Sequence, residues 1–227
     1  MMPQFRAVPA VKKAMVLLVD DHPIVRQGLA QLINQEPDLA VCGHAEDADG
    51  ALHAITVYRP DIVVLDISLN GPDGLAVLKD IRLSDPDLPV LVLSMHDELL
   101  YAERALRAGA NGYIMKQEAT ERVLQAIRRV RGGEIYVSDR IAKRLLRQVV
   151  SSPAPRKPPI EALTDRELAV FRLIGNGLGT REIADELHVS IKTVESYQAH
   201  IKEKLSLRNA RELVRHAIQW VTREDGG

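Results

Sequence analysis

Five short apolar runs rich in Val, Ile and Leu alternate with five amphipathic stretches of helical length, and this alternation limits the fold more than any other feature. The runs are Met15–Val19, Leu39–Cys42, Ile62–Leu65, Pro89–Leu93 and Tyr113–Met115, and helical periodicity predicts helices over Pro23–Asn34, Ala48–Tyr58, Gly74–Leu83, Leu99–Ala108 and Thr120–Val130. Strands apolar on both sides and separated by helices require a parallel sheet covered on both faces. The expected fold is therefore α/β, a doubly wound five-stranded parallel sheet of flavodoxin-like type.

The pattern stops after Gly132-Gly133. One further helix is predicted over Ile141–Val150, and residues 151–159 then carry four prolines in nine positions, which no helix interior tolerates. That segment reads as a semi-rigid linker. Beyond it only helical signals remain. Thr164-Asp-Arg-Glu167 matches a capping box that starts a helix running to Asn176. Gly175, Gly177 and Gly179 end that helix, Thr180 opens a short one to His188, and Ser190 caps a third that runs to Leu205. A fourth covers Asn209–Val221. The expected domains are 14–132, a connecting helix within 133–150, the linker 151–159, and a smaller all-α domain over 160–224.

Composition removes several function classes. With 30 Lys+Arg against 31 Asp+Glu the chain is no polycation, so nucleic-acid binding needs local charge. One cysteine, Cys42, excludes an intrachain disulfide framework and a cysteine-based zinc site. It fits a reducing, cytoplasmic compartment. Neither an apolar leader nor a membrane-length apolar run is present, so no membrane association is expected.

In doubly wound sheets, sites form beyond the carboxyl ends of the strands. Those ends carry Asp20-Asp21, Asp66, Ser94 and Lys116. Taken singly, Asp and Ser there are ordinary helix caps. Together, three carboxylates in one crevice must take up protons or a cation. An open all-oxygen site suits Mg²⁺, which keeps waters for a phosphoryl group to replace. The set points to phosphoryl chemistry, with Asp66 as nucleophile, Lys116 neutralising phosphoryl oxygens and the Ser94 hydroxyl donating a hydrogen bond.

The segments Val19-Asp-Asp-His-Pro23, Val63-Val-Leu-Asp66, Leu91-Val-Leu-Ser-Met-His96 and Gly109-Ala-Asn-Gly-Tyr-Ile-Met-Lys116 resemble the receiver domains of two-component response regulators, over residues 14–132. The resemblance implies a sensor histidine kinase as phosphoryl donor. It also implies metal binding by Asp21, Asp66 and the Ser68 backbone carbonyl, with Asp20 acting mainly through water, and a relay in which Ser94 moves and Tyr113 swings inward. Asn70 stands where receivers usually carry proline, which is displaced to Pro72, and Gln117 follows Lys116 in place of a second frequent proline.

Residues 187–223 carry 7 basic and 3 acidic side chains, a local excess of +4. Helical periodicity from Ser190 buries Val194, Tyr197, Ile201 and Leu205 and leaves Lys192, Glu195, Ser196, Ala199 and Lys202 opposite. A short helix, a tight turn and a helix with a small, polar outer face fit a helix-turn-helix entering the major groove of double-stranded DNA. Leu163-Thr-Asp-Arg-Glu-Leu168, Arg181-Glu-Ile-Ala184 and Ser190-Ile-Lys-Thr-Val194 resemble the LuxR-type helix-turn-helix, and the whole chain resembles a NarL/FixJ-type response regulator. That resemblance implies that Glu195, Ser196 and Ala199 face base edges while Lys192, Thr193 and Lys202 hold phosphates. It also implies a homodimer through the last helix. The expected function is a phosphorylation-switched, non-enzymatic transcription regulator. Its rivals are a regulator indifferent to phosphorylation, an aspartyl-phosphate phosphohydrolase and a flavin carrier. A phosphohydrolase commonly has a second acid two residues after its nucleophile, where this chain has Ser68. A flavin carrier needs a phosphate loop where Asp20-Asp21 would repel phosphate.

Overall fold

The computed structural model describes residues 13–225 apart from 68, 70–73, 96, 97, 119, 151–158 and 188. The chain divides into two compact units, Met1–Ser151 and Ser152–Gly227. In the first, strands β1 (Ala14–Val19), β2 (Leu39–Ala45), β3 (Ile62–Asp66), β4 (Val90–Ser94) and β5 (Gly112–Met115) alternate with α1 (Pro23–Asn34), α2 (Ala48–Tyr58), α3 (Gly74–Ser84), α4 (Glu98–Arg107) and α5 (Thr120–Arg131). All pairings are parallel, in the order β2-β1-β3-β4-β5.

Side chains alternate across the sheet with period two. Val16, Leu18, Ile62, Val64, Leu91, Leu93 and Ile114 enter one core with Ile33 of α1 and Val123, Ala126, Ile127 and Val130 of α5. The intervening Leu17, Val19, Val63, Leu65 and Val92 are buried on the other face, where α2, α3 and α4 contribute Ala51, Ala54, Val77, Leu78, Ala102 and Ala105. Pro23 fits the first turn of α1 because that position needs no amide donor.

The structure lengthens β2 by three residues beyond the expected run. The register jumps from Val16↔Val41 to Leu17↔Gly43, leaving Cys42 as an extra residue in a bulge that breaks the strict apolar alternation. Helix α6 (Asp139–Val150) belongs to the first unit. Its Ile141 is 2% exposed, and Arg144 Nη1 donates to the Leu99 carbonyl of α4 at 3.2 Å. Just before it, the Tyr136 carbonyl accepts from the Tyr113 amide at 2.8 Å, and the Tyr136 amide donates to the Asn111 carbonyl at 3.0 Å. The free edge of β5 is thereby partly covered.

The second unit opens with a 3₁₀ turn, Pro159–Ala162, and continues with α7 (Asp165–Gly175), α8 (Thr180–Glu186), α9 (Ile191–Lys204) and α10 (Ala210–Asp225). Gly175 is the last residue of α7, and its role is close packing as well as termination. A Cβ there would lie 2.6 Å from the Ala217 carbonyl of α10. Phe171 and Trp220 pack across the same pair of helices with ring centroids 5.7 Å apart.

Truncating Ile127, fully buried between α5 and the sheet, is expected to cost about 2–5 kcal/mol. Urea titration of Ile127→Ala followed by circular dichroism checks this, while Trp220, the sole tryptophan, reports the second unit separately.

Candidate functional site

Asp20 follows β1, Asp66 ends β3, Ser94 ends β4 and Lys116 follows β5, so the sheet order brings their strand ends together. Asp20, Asp66 and Ser94 are 3%, 1% and 0% exposed. Lys116 Nζ donates to Asp20 Oδ2 and to Asp66 Oδ2, each at 2.7 Å. Its amide donates to the Ser94 carbonyl at 2.8 Å, so the same residue ties β5 to β4. Burial by itself pushes the Lys116 ammonium down, but Asp66 and Asp20 outweigh it and hold its pKa above the usual lysine value. The lysine is thus a fixed cation between two carboxylates.

Asp20, Asp21, His22 and Asp66 each offer one ligand atom, all within 4.8 Å of one another. His22 is a residue the sequence reading left without a role. Its Nδ1 lies 2.8 Å from Asp21 Oδ1 and 3.3 Å from Asp20 Oδ1, and its amide donates to Asp20 Oδ1 at 2.8 Å. The carboxylate oxygens form the kind of hard donor set that suits Mg²⁺. Ser68, Asn70 and Pro72 lie outside the described residues.

Gly74 sets the spacing behind Asp66. A Cβ at this position would meet Ile67 Cα at 2.4 Å and the Asp66 carbonyl at 2.8 Å, so only glycine lets α3 start this close to the site. Ser94 pairs with Met115 and Val92 with Tyr113, which puts Ser94 and Tyr113 on one face of the sheet as diagonal neighbours. Tyr113 is 2% exposed, so its ring is turned inward.

In the second unit, Ser190 caps α9 by accepting from the Thr193 amide at 3.1 Å. Gln198 Nε2 donates to Thr180 Oγ1 at 3.2 Å and braces α9 against α8. Val194 and Ile201 are fully buried, while Lys192, Glu195, Ser196 and Ala199 are exposed; Thr193 and Lys202 are half-buried. The Ser196 hydroxyl donates to the Lys192 carbonyl at 3.0 Å, which leaves its lone pairs as acceptors. Glu195 has no ion-pair partner among the described residues.

This pairing of a receiver-like acidic pocket with a capped, outward-facing helix matches known proteins. A family model described as the response regulator receiver domain covers residues 16–128, and one described as bacterial regulatory proteins, luxR family, covers 161–217. The oxygen regulatory protein NreC of Staphylococcus aureus is 37% identical over 209 residues, which span 90% of this chain and 96% of that protein. The chain is a response regulator of the NarL/FixJ type. Solved structures agree. A LuxR-family two-component response regulator from Aurantimonas sp. SI85-9A1 shares 37% identity with a TM-score of 0.57, covering 62% of this chain and 100% of that one. RcsB of Salmonella enterica serovar Typhimurium, bound to promoter rprA with phosphomimetic BeF3-, shares 25% identity at TM-score 0.57, covering 91% and 98%. This response regulator is therefore a phosphorylation-switched transcription regulator with a receiver and a LuxR-type DNA-binding domain. Among the described residues no helix is long and apolar enough to cross a membrane.

An ion pair in the regulator's DNA-binding unit, buried on its Glu167 side only, had no sequence signal beyond the capping box. Glu167 Oε2 accepts from the Thr164 amide at 2.7 Å and from Lys204 Nζ at 2.6 Å, locking the end of α9 to the start of α7. Burial raises the Glu167 carboxyl, but Lys204 and Thr164 overcome this and hold its pKa below its ordinary value. A lowered folded-state pKa stabilises above the unfolded value, 4.5, and the gain disappears as pH falls through the folded value. Glu167→Gln is expected to lose about 1–3 kcal/mol at neutral pH, the lower half being favoured because Lys204 is partly exposed. Trp220 fluorescence melts from pH 7 to 3 should show a shallower acid decline for the variant than for the parent.

Proposed function

We propose that Asp66 is the phosphoacceptor, with a sensor histidine kinase as donor and Mg²⁺ held by Asp20, Asp21 and Asp66, joined by the Ser68 backbone carbonyl. One Asp66 carboxylate oxygen attacks phosphorus as the phosphorus–nitrogen bond of the kinase phosphohistidine breaks, and the released imidazole takes a proton from solvent. Bound Mg²⁺ supplies positive charge against the phosphoryl oxygens. Lys116 turns its ammonium from the carboxylates toward the transferred group. Ser94, on the strand between, donates its hydroxyl to a phosphoryl oxygen, and Tyr113 occupies the space beside it. The observation that carries this reading is the Lys116 ammonium held 2.7 Å from both Asp20 and Asp66 in a pocket whose carboxylates are almost fully buried.

The output follows from α9. Lys192, Thr193 and Lys202 hold phosphates and set register. Glu195, Ser196 and Ala199 face base edges, with Glu195 and Ser196 accepting from cytosine or adenine amino groups and Ala199 touching a thymine methyl. Exposed Val214 and Ile218 on α10, 43% and 45% accessible, suit a homodimer on two half-sites. The protein works in the cytoplasm as a binding switch and not as an enzyme.

Incubation with Mg²⁺ and acetyl phosphate is expected to add one phosphoryl group to the intact protein, lost in Asp66→Asn and abolished by a chelator. No gain in intact mass overturns the phosphoacceptor assignment. Lys192→Ala is expected to weaken all duplexes about equally and to lower the salt slope by about 0.9. Ser196→Ala should instead shift sequence preference, as read by selection from a random duplex pool.

A further inference from the structure

We propose that the outward face of α6 is a second DNA-contacting surface, which takes the phosphate backbone of duplex flanking the segment read by α9. Arg140, Lys143 and Arg147 are all exposed and recur at i, i+3 and i+7, so they form one row about 10 Å long on a single face. Ile141, on the far side of the helix, is buried against the receiver, and Arg144, one turn on from Arg140 at the margin of the row, donates to the Leu99 carbonyl. The row is therefore held in one orientation on its unit.

Several cations on the other receiver helices are neutralised within the unit, although exposed Lys79 and Arg131 have no ion-pair partner among the described residues. Arg107 pairs with Glu103 at 2.6 Å and Arg122 with Glu118 at 2.6 Å, each across i,i+4. Arg128 bonds Asp38 at 2.7 and 2.9 Å and also pairs with Glu36, while Arg129 pairs with Glu134 at 2.8 Å. None of Arg140, Lys143 and Arg147 has an ion-pair partner among the described residues. Asp139 is the last acidic residue before residue 161. Lys143 and Arg147 stand at i,i+4 with like charge, an arrangement that destabilises a helix.

Helix electrostatics account for part of this row only. Arg147 in the last turn is favoured by the macrodipole, whereas Arg140 in the first turn is opposed by it and Lys143 at mid-helix gains little. A polyanion laid along the row relieves both the like-charge repulsion and the misplaced Arg140. Duplex DNA is the polyanion this regulator already engages. Residues 151–158, between the end of α6 and the DNA-binding unit, can extend at most about 30 Å. That reach corresponds to roughly nine base pairs at 3.4 Å each, so flanking duplex stays accessible to α6 once α9 is bound. The tether makes the second contact intramolecular, which favours it without any new high-affinity site.

The test uses the full-length protein, random-sequence duplexes of about 8 and about 40 base pairs, the shorter leaving no flank once α9 is bound, and anisotropy titrations across a salt series. The triple variant Arg140→Gln/Lys143→Gln/Arg147→Gln is expected to lower the salt slope on the long duplex by about 2–3 and its affinity by about tenfold or more at moderate salt, leaving the short duplex unchanged. An unchanged slope on the long duplex overturns the proposal. An equal loss on both lengths also overturns it, because the effect is then one of overall charge. Binding of phosphatidylglycerol vesicles that the variant loses, without any duplex-length effect, assigns the face to lipid and overturns it as well. Lys192→Ala must lower the slope on both lengths, and its failure to do so indicts the reading head and leaves α6 untouched. Should the triple variant melt below the parent, the three single variants carry the test, each expected to remove about one third of the slope change.

Discussion

Three carboxylates gathered at the ends of two neighbouring strands would repel each other without the Lys116 ammonium set between two of them. Strands lie about 4.8 Å apart, so β5 is roughly 10 Å from β3, with β4 in between. Only a long cationic side chain covers that gap, and it does so past the end of β4, where the small Ser94 leaves room. The pocket therefore depends on the order of the sheet as much as on the acids themselves. Removing one member of such a buried arrangement leaves the others uncompensated, which costs more than the intact arrangement contributes. The same imbalance makes the pocket responsive, because any charge added at Asp66 must change what Lys116 and Ser94 bond to.

The doubly wound sheet was legible because its evidence is local. Apolar runs, helical periodicity and the residues just past each strand all sit within a few positions of one another, and α1 and α2 fall at the predicted bounds, Pro23–Asn34 and Ala48–Tyr58. The features that escaped are those in which sequence-distant residues meet. Lys204 and Glu167 are 37 residues apart, and the capping box accounted for Glu167 without any need for a second partner. Gly175 read as helix punctuation because glycine commonly ends helices, whereas its contact with Ala217 comes from helix packing that no local pattern encodes. The β2 bulge at Cys42 inverts the side-chain alternation midway, which cut the apparent strand short. His22 was visible beside Asp21 all along, but a histidine next to helix-capping acids carries no distinctive spacing signal.

A near-neutral total charge also misleads when charges are summed rather than located. Asp20, Asp21 and Asp66 concentrate negative charge in one pocket, while several receiver arginines, among them Arg107, Arg122, Arg128 and Arg129, are neutralised residue by residue. Other exposed cations, Arg140, Lys143, Arg147 and Lys192 among them, have no ion-pair partner among the described residues and stand on particular faces. Those faces, and not the net value of −1, decide which polyanion the protein meets.

The recognition helix is held by interactions inside its own unit. The Ser190 cap fixes its start, Gln198 on Thr180 fixes its angle to α8, and Lys204 on Glu167 fixes its end to α7. A helix tied at three points to its own unit resists a change of shape, since each alternative gives up at least one of these bonds. A signal can move an equilibrium only through states whose free energies it changes differently. With the reading head fixed, the states that remain are how many heads are available and whether two engage DNA together. Pairing two heads turns the second binding event into an intramolecular one, and that gain is large enough to convert a modest shift in pairing into a large shift in occupancy. Under the proposed function, a switch of this kind works through the number and freedom of the heads rather than through the sequence each one reads.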